Sequence, residues 1–187
     1  MLMTLSSSAF CGTVLTIYQK VQPILCKNTA LPVILPPSSV LKAVTGFNHS
    51  LSPSNIGFVH STAYSINFDY TANCQGAPAC SIGNFYASKL NKNRPRNDSQ
   101  SFPLSFEQIQ QLKNNKVVTI EHHIPVTITS NHRGYFEKQH ATGVGSSLFR
   151  TLSWVNHGTL YQLTLKGIRL KNILKIARAT LAMTKTK

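Results

Sequence analysis

The chain has 187 residues, 42% hydrophobic and 13% charged, which suits one domain with a real core and excludes a disordered chain. Nineteen Lys and Arg against five Asp and Glu give a formal charge of +14, a field that attracts anions such as nucleic acid, lipid headgroups or acidic envelope polymers. No run approaches the roughly 18–20 apolar residues that a bilayer-spanning helix requires.

A secretory leader needs a positive start followed by an unbroken apolar run. Residues 1–17 meet neither condition cleanly, because the first basic residue is Lys20 and Ser6-Ser7-Ser8 precedes the apolar stretch from Ala9 to Ile17. They read as a weak signal peptide or as an ordinary N-terminal segment, ahead of a single α+β domain over 18–187. Phe10 stands before Cys11 where a lipoprotein cleavage site needs a small residue, which argues against lipidation. Val14, Ile17, Tyr18, Val21 and Leu25 have helical spacing, with Pro23 expected to interrupt the final turn. Leu31 to Pro37 is short and proline-rich, an edge strand or extended arm. Residues 38–57 carry Ser, Asn, Gly and Pro with little periodicity and read as a loop.

From Val59 to Tyr70 periodicity returns: Tyr64, Ile66, Phe68 and Tyr70 alternate with Ala63, Ser65, Asn67 and Asp69, the pattern of a half-buried strand. Ile82 to Ala87 reads as the returning strand. Between the two, Cys74 and Cys80 flank small and turn-forming residues that can bring their Cα atoms within disulfide range. A hairpin-tip disulfide, and with it an oxidising compartment, is the preferred reading; two free thiols or a metal or redox pair are the alternatives. Cys26 is left over, with Cys11 as its available partner if Cys11 is retained.

Residues 89–100 form a polar, basic stretch predicted to be an exposed loop. As a nucleic-acid arm it would offer Lys89, Lys92, Arg94 and Arg96 to phosphates, but it has no aromatic residue to stack a base. Ser105 and Gln108 form a capping box that can start a helix of about two turns, ending at Asn114-Asn115. Val118, Ile120, His122, Ile124, Val126 and Ile128 then alternate with polar residues, giving the clearest strand; Pro125 argues for an edge, or for its missing N–H facing away from a partner. Residues from Ser130 to Gly134 turn the chain back through Tyr135 and Phe136. Glu121-His122-His123 comes nearest to a chemical site, yet adjacent strand residues point to opposite faces, so one buried and one surface histidine are expected rather than a metal pair. Asp69 and Asp98 are the only aspartates, no Ser lies in a nucleophile elbow, and Gly143 to Ser146 lacks a phosphate-loop Lys. No catalytic residue, cofactor or metal ligand is assigned.

The stretch from Leu148 onward organises the rest. Leu148, Arg150, Leu152 and Trp154 share one strand face, Asn156-His157-Gly158 supplies a turn that tolerates positive φ, and Tyr161, Leu163 and Leu165 form the facing apolar row. Gly167 ends that strand. Leu170, Ile173, Leu174, Ala177 and Leu181 then make a single helical stripe, predicting a helix over about residues 169–183 that lies across the sheet. The fold class is therefore α+β, an antiparallel sheet of hairpins with a C-terminal amphipathic helix on one face.

This arrangement of Trp154, Gly158, Tyr161, Leu163, Leu165-Lys166-Gly167 and Ile176-Ala177 resembles the tail of a family of small exported bacterial proteins. It is similar to the unknown-function C-terminal domain of some lipoprotein-sorting-like and anti-sigma-like envelope proteins. The Gly134-Tyr135-Phe136 tripeptide and the Cys-x-Gly-Ala-x-Ala-Cys loop from Cys74 to Cys80 belong to the same resemblance. It implies this fold and export to the periplasm or medium; it implies no activity. Relatives often carry acidic residues in the first turn of the last helix, whereas this chain has Arg169 and Lys171 there. Lys171, Lys175 and Arg178 repel one another at helical spacing, so Arg169, Lys171, Lys175 and Arg178 are the candidate anion-binding residues. The expected function is that of an exported, non-enzymatic accessory or binding protein for an anionic envelope polymer, lipid headgroup or host molecule. An intracellular nucleic-acid-binding module is the alternative, and a metal-dependent enzyme the third reading.

Overall fold

The computed structural model describes residues 16–184 with the exception of 72, 75, 76, 78, 91–122 and 141–147. Among the described residues one antiparallel sheet of seven strands dominates, in the order β1-β2-β3-β7-β6-β5-β4. Its strands are β1 (Ile56–His60), β2 (Ala63–Asp69), β3 (Ser81–Lys89), β4 (His123–Thr129), β5 (His132–His140), β6 (Leu148–Asn156) and β7 (Thr159–Lys166). Three α-helices are described: α1 (Gln22–Asn28), α2 (Ser38–Thr45) and α3 (Leu170–Ala182). The sheet consists of two meanders, β1 to β3 and β4 to β7, joined where the last strand of each pairs with the other.

Strand alternation sends one row of each strand into a common core. Ile66 pairs with Phe85, Phe85 with Leu163, Leu163 with Leu152 and Leu152 with Phe136, so five strands contribute to a single apolar row. Beside it Trp154 stacks on Tyr161 (5.7 Å between ring centroids, 21° between planes) and Tyr161 on Phe85 (6.0 Å, 27°). Leu163 and Leu165 are buried with them, as the pattern of β7 predicts. The α3 stripe closes this face: Ile173, Ala177 and Leu181 are buried, joined by Ile176 and Thr180, and the helix touches α2, β4, β6 and β7. This is the predicted architecture, an α+β fold with the C-terminal helix packed against the sheet.

Turn chemistry sets the register. His157 and Gly158 both have positive φ (47° and 73°), so a two-residue turn joins Asn156 to Thr159 with the twist a hairpin requires. Gly134 lies inside β5, opposite Trp154, where an added Cβ would sit 2.4 Å from the Ser153 carbonyl oxygen. The tripeptide is thus a place of close strand approach, and the reversal occurs earlier, at Ser130 and Asn131. Pro125 lies on β4, an edge strand, as its missing N–H requires.

Three expectations are corrected near the N-terminus. Pro23 lies in the first turn of α1 instead of breaking a helix, since a first-turn proline forfeits no intrahelical bond; ahead of it the helical spacing gives only a 3-10 turn at Thr16–Tyr18, although Tyr18, Val21 and Leu25 are buried. Residues 38–57 are not a loop throughout: α2 occupies Ser38–Thr45, held by Leu41 in the core and ended by Gly46 at φ 77°. The strand expected over Val59 to Tyr70 is a hairpin of β1 and β2 turning at Ser61 and Thr62, with Tyr70 outside it. The arm from Leu31 to Pro37 is extended, and it is pinned from within. The Tyr64 hydroxyl donates to the Ile34 carbonyl (3.2 Å) and accepts from the Ile34 N–H (3.2 Å), while Leu31, Val33 and Leu35 are buried.

Candidate anion-binding pocket

At the end of the sheet where β3 begins and β7 finishes, three segments leave a cavity of about 660 Å³ between them. Lys166, Gly167, Arg169, Lys171 and Asn172 form one wall, because Gly167 at φ 63° turns the chain sharply out of β7 and into α3. Val44 and Thr45, at the end of α2, form the second. Tyr70, Ala79, Ser81 and Ile82, from the tip of the β2–β3 hairpin, form the third.

A disulfide fixes that third wall. Cys74 and Cys80 are bonded with Cα atoms 5.7 Å apart, closing the loop between β2 and β3 as the spacing predicts. Below the bond the Tyr70 N–H donates to the Cys80 carbonyl (2.9 Å), and the Ser81 N–H donates to that of Ala77 (3.0 Å). Ala79 and Tyr70 are therefore tied to the covalent clasp through the backbone. Tyr70 is 44% exposed, but its ring packs against Phe47 (5.9 Å between centroids) and His49 (5.3 Å, edge-on). Cys26 is disulfide-bonded as well. Its candidate partner Cys11 lies outside the described residues.

The electrostatics of the first wall are one-sided. α3 has no acidic residue in its first turn, and its N-cap, Arg169, makes no side-chain cap. Arg169 and Lys171 are exposed at the positive end of the helix dipole, where each cation costs roughly 0.3–1 kcal/mol unless an anion offsets it. Thus the structure brings two of the four predicted cations, Arg169 and Lys171, together with Lys166 at one cavity and separates the other two from it. Lys175 is exposed farther along the helix. Arg178 does structural work, its Nε donating to the Ile128 carbonyl of β4 at 2.6 Å.

Lys166 and Tyr70 were not singled out as binding residues from the sequence. Lys166 sits in the Leu-Lys-Gly end of a strand and reads as an ordinary surface residue. Tyr70 reads as the last inward residue of β2, but the strand bulges between Asn67 and Asp69 and releases it. The basic stretch 89–100 is described only through Leu90, and Glu121 and His122 lie outside the described residues. Among the described residues no helix is long and apolar enough to cross a membrane.

Fold and cavity together define a class: an antiparallel α+β domain with a basic, disulfide-walled recess at one end of its sheet. Comparisons with protein-family models, with curated proteins and with solved structures return no match for the chain, so its placement within that class rests on this geometry.

Proposed function

We propose that the protein is an exported, non-enzymatic binding protein, periplasmic or secreted, whose recess accepts an anionic group of an envelope or extracellular component. The observation that carries this reading is the convergence of Arg169 and Lys171, with Lys166, on one cavity whose opposite wall is held by the Cys74–Cys80 bond. An anion there offsets both the mutual repulsion of the cations and their clash with the helix dipole. The disulfides suit an oxidising compartment, which supports export over an intracellular nucleic-acid-binding role. The resemblance of the Trp154 to Ala177 segment to exported envelope proteins points the same way.

The test follows from how the helix divides its cations. Arg169→Gln with Lys171→Gln should lower affinity for an anionic polymer such as heparin by about tenfold or more and flatten its dependence on salt. Lys175→Gln, outside the cavity, should change affinity less than about twofold. Equal losses from the two variants, read by calorimetry at several ionic strengths, would show that net charge alone binds the polymer and would remove the recess from consideration.

A further inference from the structure

Resting on the reading of the recess as an anion site, we propose that its ligand is an acidic sugar unit of a glycan, with the ring on Tyr70 and its carboxylate or phosphate at Arg169 and Lys171. Size is the first argument. A cavity of about 660 Å³ falls in the range of small-molecule sites and far exceeds what a single inorganic anion fills, so it has room for a body as well as a charge. The cavity is also chemically divided. Charge is concentrated on the α3 wall, whereas the hairpin wall is uncharged, made of Tyr70, Ala79, Ser81 and Ile82.

Tyr70 suits a sugar for a specific reason. A pyranose offers an apolar C–H face that packs on a single aromatic ring, while its hydroxyls turn outward to amides and charged donors. Phe47 is fully buried and, with His49, packs against the Tyr70 ring, so the ring is oriented before a ligand arrives. Asn172, one residue beyond Lys171, adds an amide that can donate to and accept from hydroxyls. Single-stranded nucleic acid fits less well, since its binding tracks combine a run of cations with several rings for successive bases. A bilayer surface fits less well too. Of the large exposed apolar side chains among the described residues, Phe58 and Ile124 lie on the two edge strands, so only Tyr70 accompanies the cations.

The experiment is calorimetric titration of the full, oxidised chain with tetragalacturonate, maltotetraose, inorganic phosphate, oligothymidylate and phosphatidylglycerol vesicles. Saturation-transfer NMR on the sugar locates the contact. Tetragalacturonate should bind at least about tenfold more tightly than maltotetraose or phosphate, and saturation should reach its ring C–H protons. Tyr70→Ala should weaken it about tenfold and abolish that transfer, while Tyr70→Phe, which keeps the ring and its packing, retains both. Tyr70→Phe thereby guards against a trivial loss of folding. If Arg169→Gln with Lys171→Gln abolishes binding but Tyr70→Ala changes nothing, the glycan inference is overturned and the anion site stands. Oligothymidylate or vesicles binding more tightly than tetragalacturonate would overturn it in favour of nucleic acid or lipid. Insensitivity to all of these substitutions would overturn both proposals.

Discussion

Glycine at two positions is what lets neighbouring strands approach. Gly83 has φ 145° and lies on β3 opposite Leu165, where an added Cβ would stand 1.9 Å from the Thr164 carbonyl oxygen. Gly134 meets the Ser153 carbonyl oxygen in the same way. In both cases the obstacle is backbone, which cannot rotate aside as a side chain would. Gly83→Ala should therefore destabilise the protein by about 3 kcal/mol or more, through strain and displacement of β7, and Gly134→Ala by a comparable amount. Alanine at Gly46, whose position is open but also has positive φ, should cost only about 1 kcal/mol. Urea midpoints of the three variants give the comparison, and equal losses would show that conformation rather than contact dominates. Gly134 was legible as part of a tripeptide but not as a contact, because the carbonyl that requires it comes from another strand.

Among the elements, those whose periodicity is long and whose turn is chemically marked were readable: β6, β7 and α3 match their predicted spans, since His157-Gly158 and Gly167 state where each ends. α2 was not. Its Ser38, Ser39 and Pro37 resemble loop composition, and the contacts of Leu41, Val40 and Val44 that stabilise it are with the core rather than within the helix. β1 was hidden for a related reason, its turn at Ser61 and Thr62 carrying neither Gly nor Asn. The β2–β3 tip shows how an element is shaped covalently, through the Cys74–Cys80 bond. Replacing Cys74 and Cys80 by Ser should cost about 2 kcal/mol in the chain-entropy view of so short a loop. It should also weaken tetragalacturonate binding, because Tyr70 and Ala79 are anchored to that loop. Parallel thermal melts and titrations of the oxidised and Ser variants check this. A stability loss with affinity intact would mean that the wall holds its shape without the bond.

At the level of the whole molecule, the layer between helices and sheet is closed by tyrosines buried with their hydroxyls. Desolvation pushes Tyr161 up to about 12 and raises Tyr18 and Tyr64 as well, Tyr18 being fully buried with no hydrogen-bond partner for its oxygen among the described residues. Each holds its proton in the folded state after the unfolded chain, titrating near 10.0, has lost it. Stability is then complete below about pH 10 and falls as pH rises toward the folded values, by about 3 kcal/mol for Tyr161 alone. Melting temperatures from pH 8 to 12 should drop in this window, and Tyr161→Phe should make the drop shallower. The recess belongs to this scale too. Arg169 and Lys171 could be suspected from the run of cations, but the cavity needs Tyr70, roughly a hundred residues earlier, and no local pattern announces that meeting. The seam between the meanders has a consequence in time. Gly83 waits for Leu165, some eighty residues downstream, before β3 gains its second neighbour. Until β7 is available, the first meander carries an open inner edge beside its disulfide tip, so formation of the sheet is gated by its last strand in chain order and slowed by long loop closure. A fragment that stops short of Thr159 lacks the strand that unites the two halves.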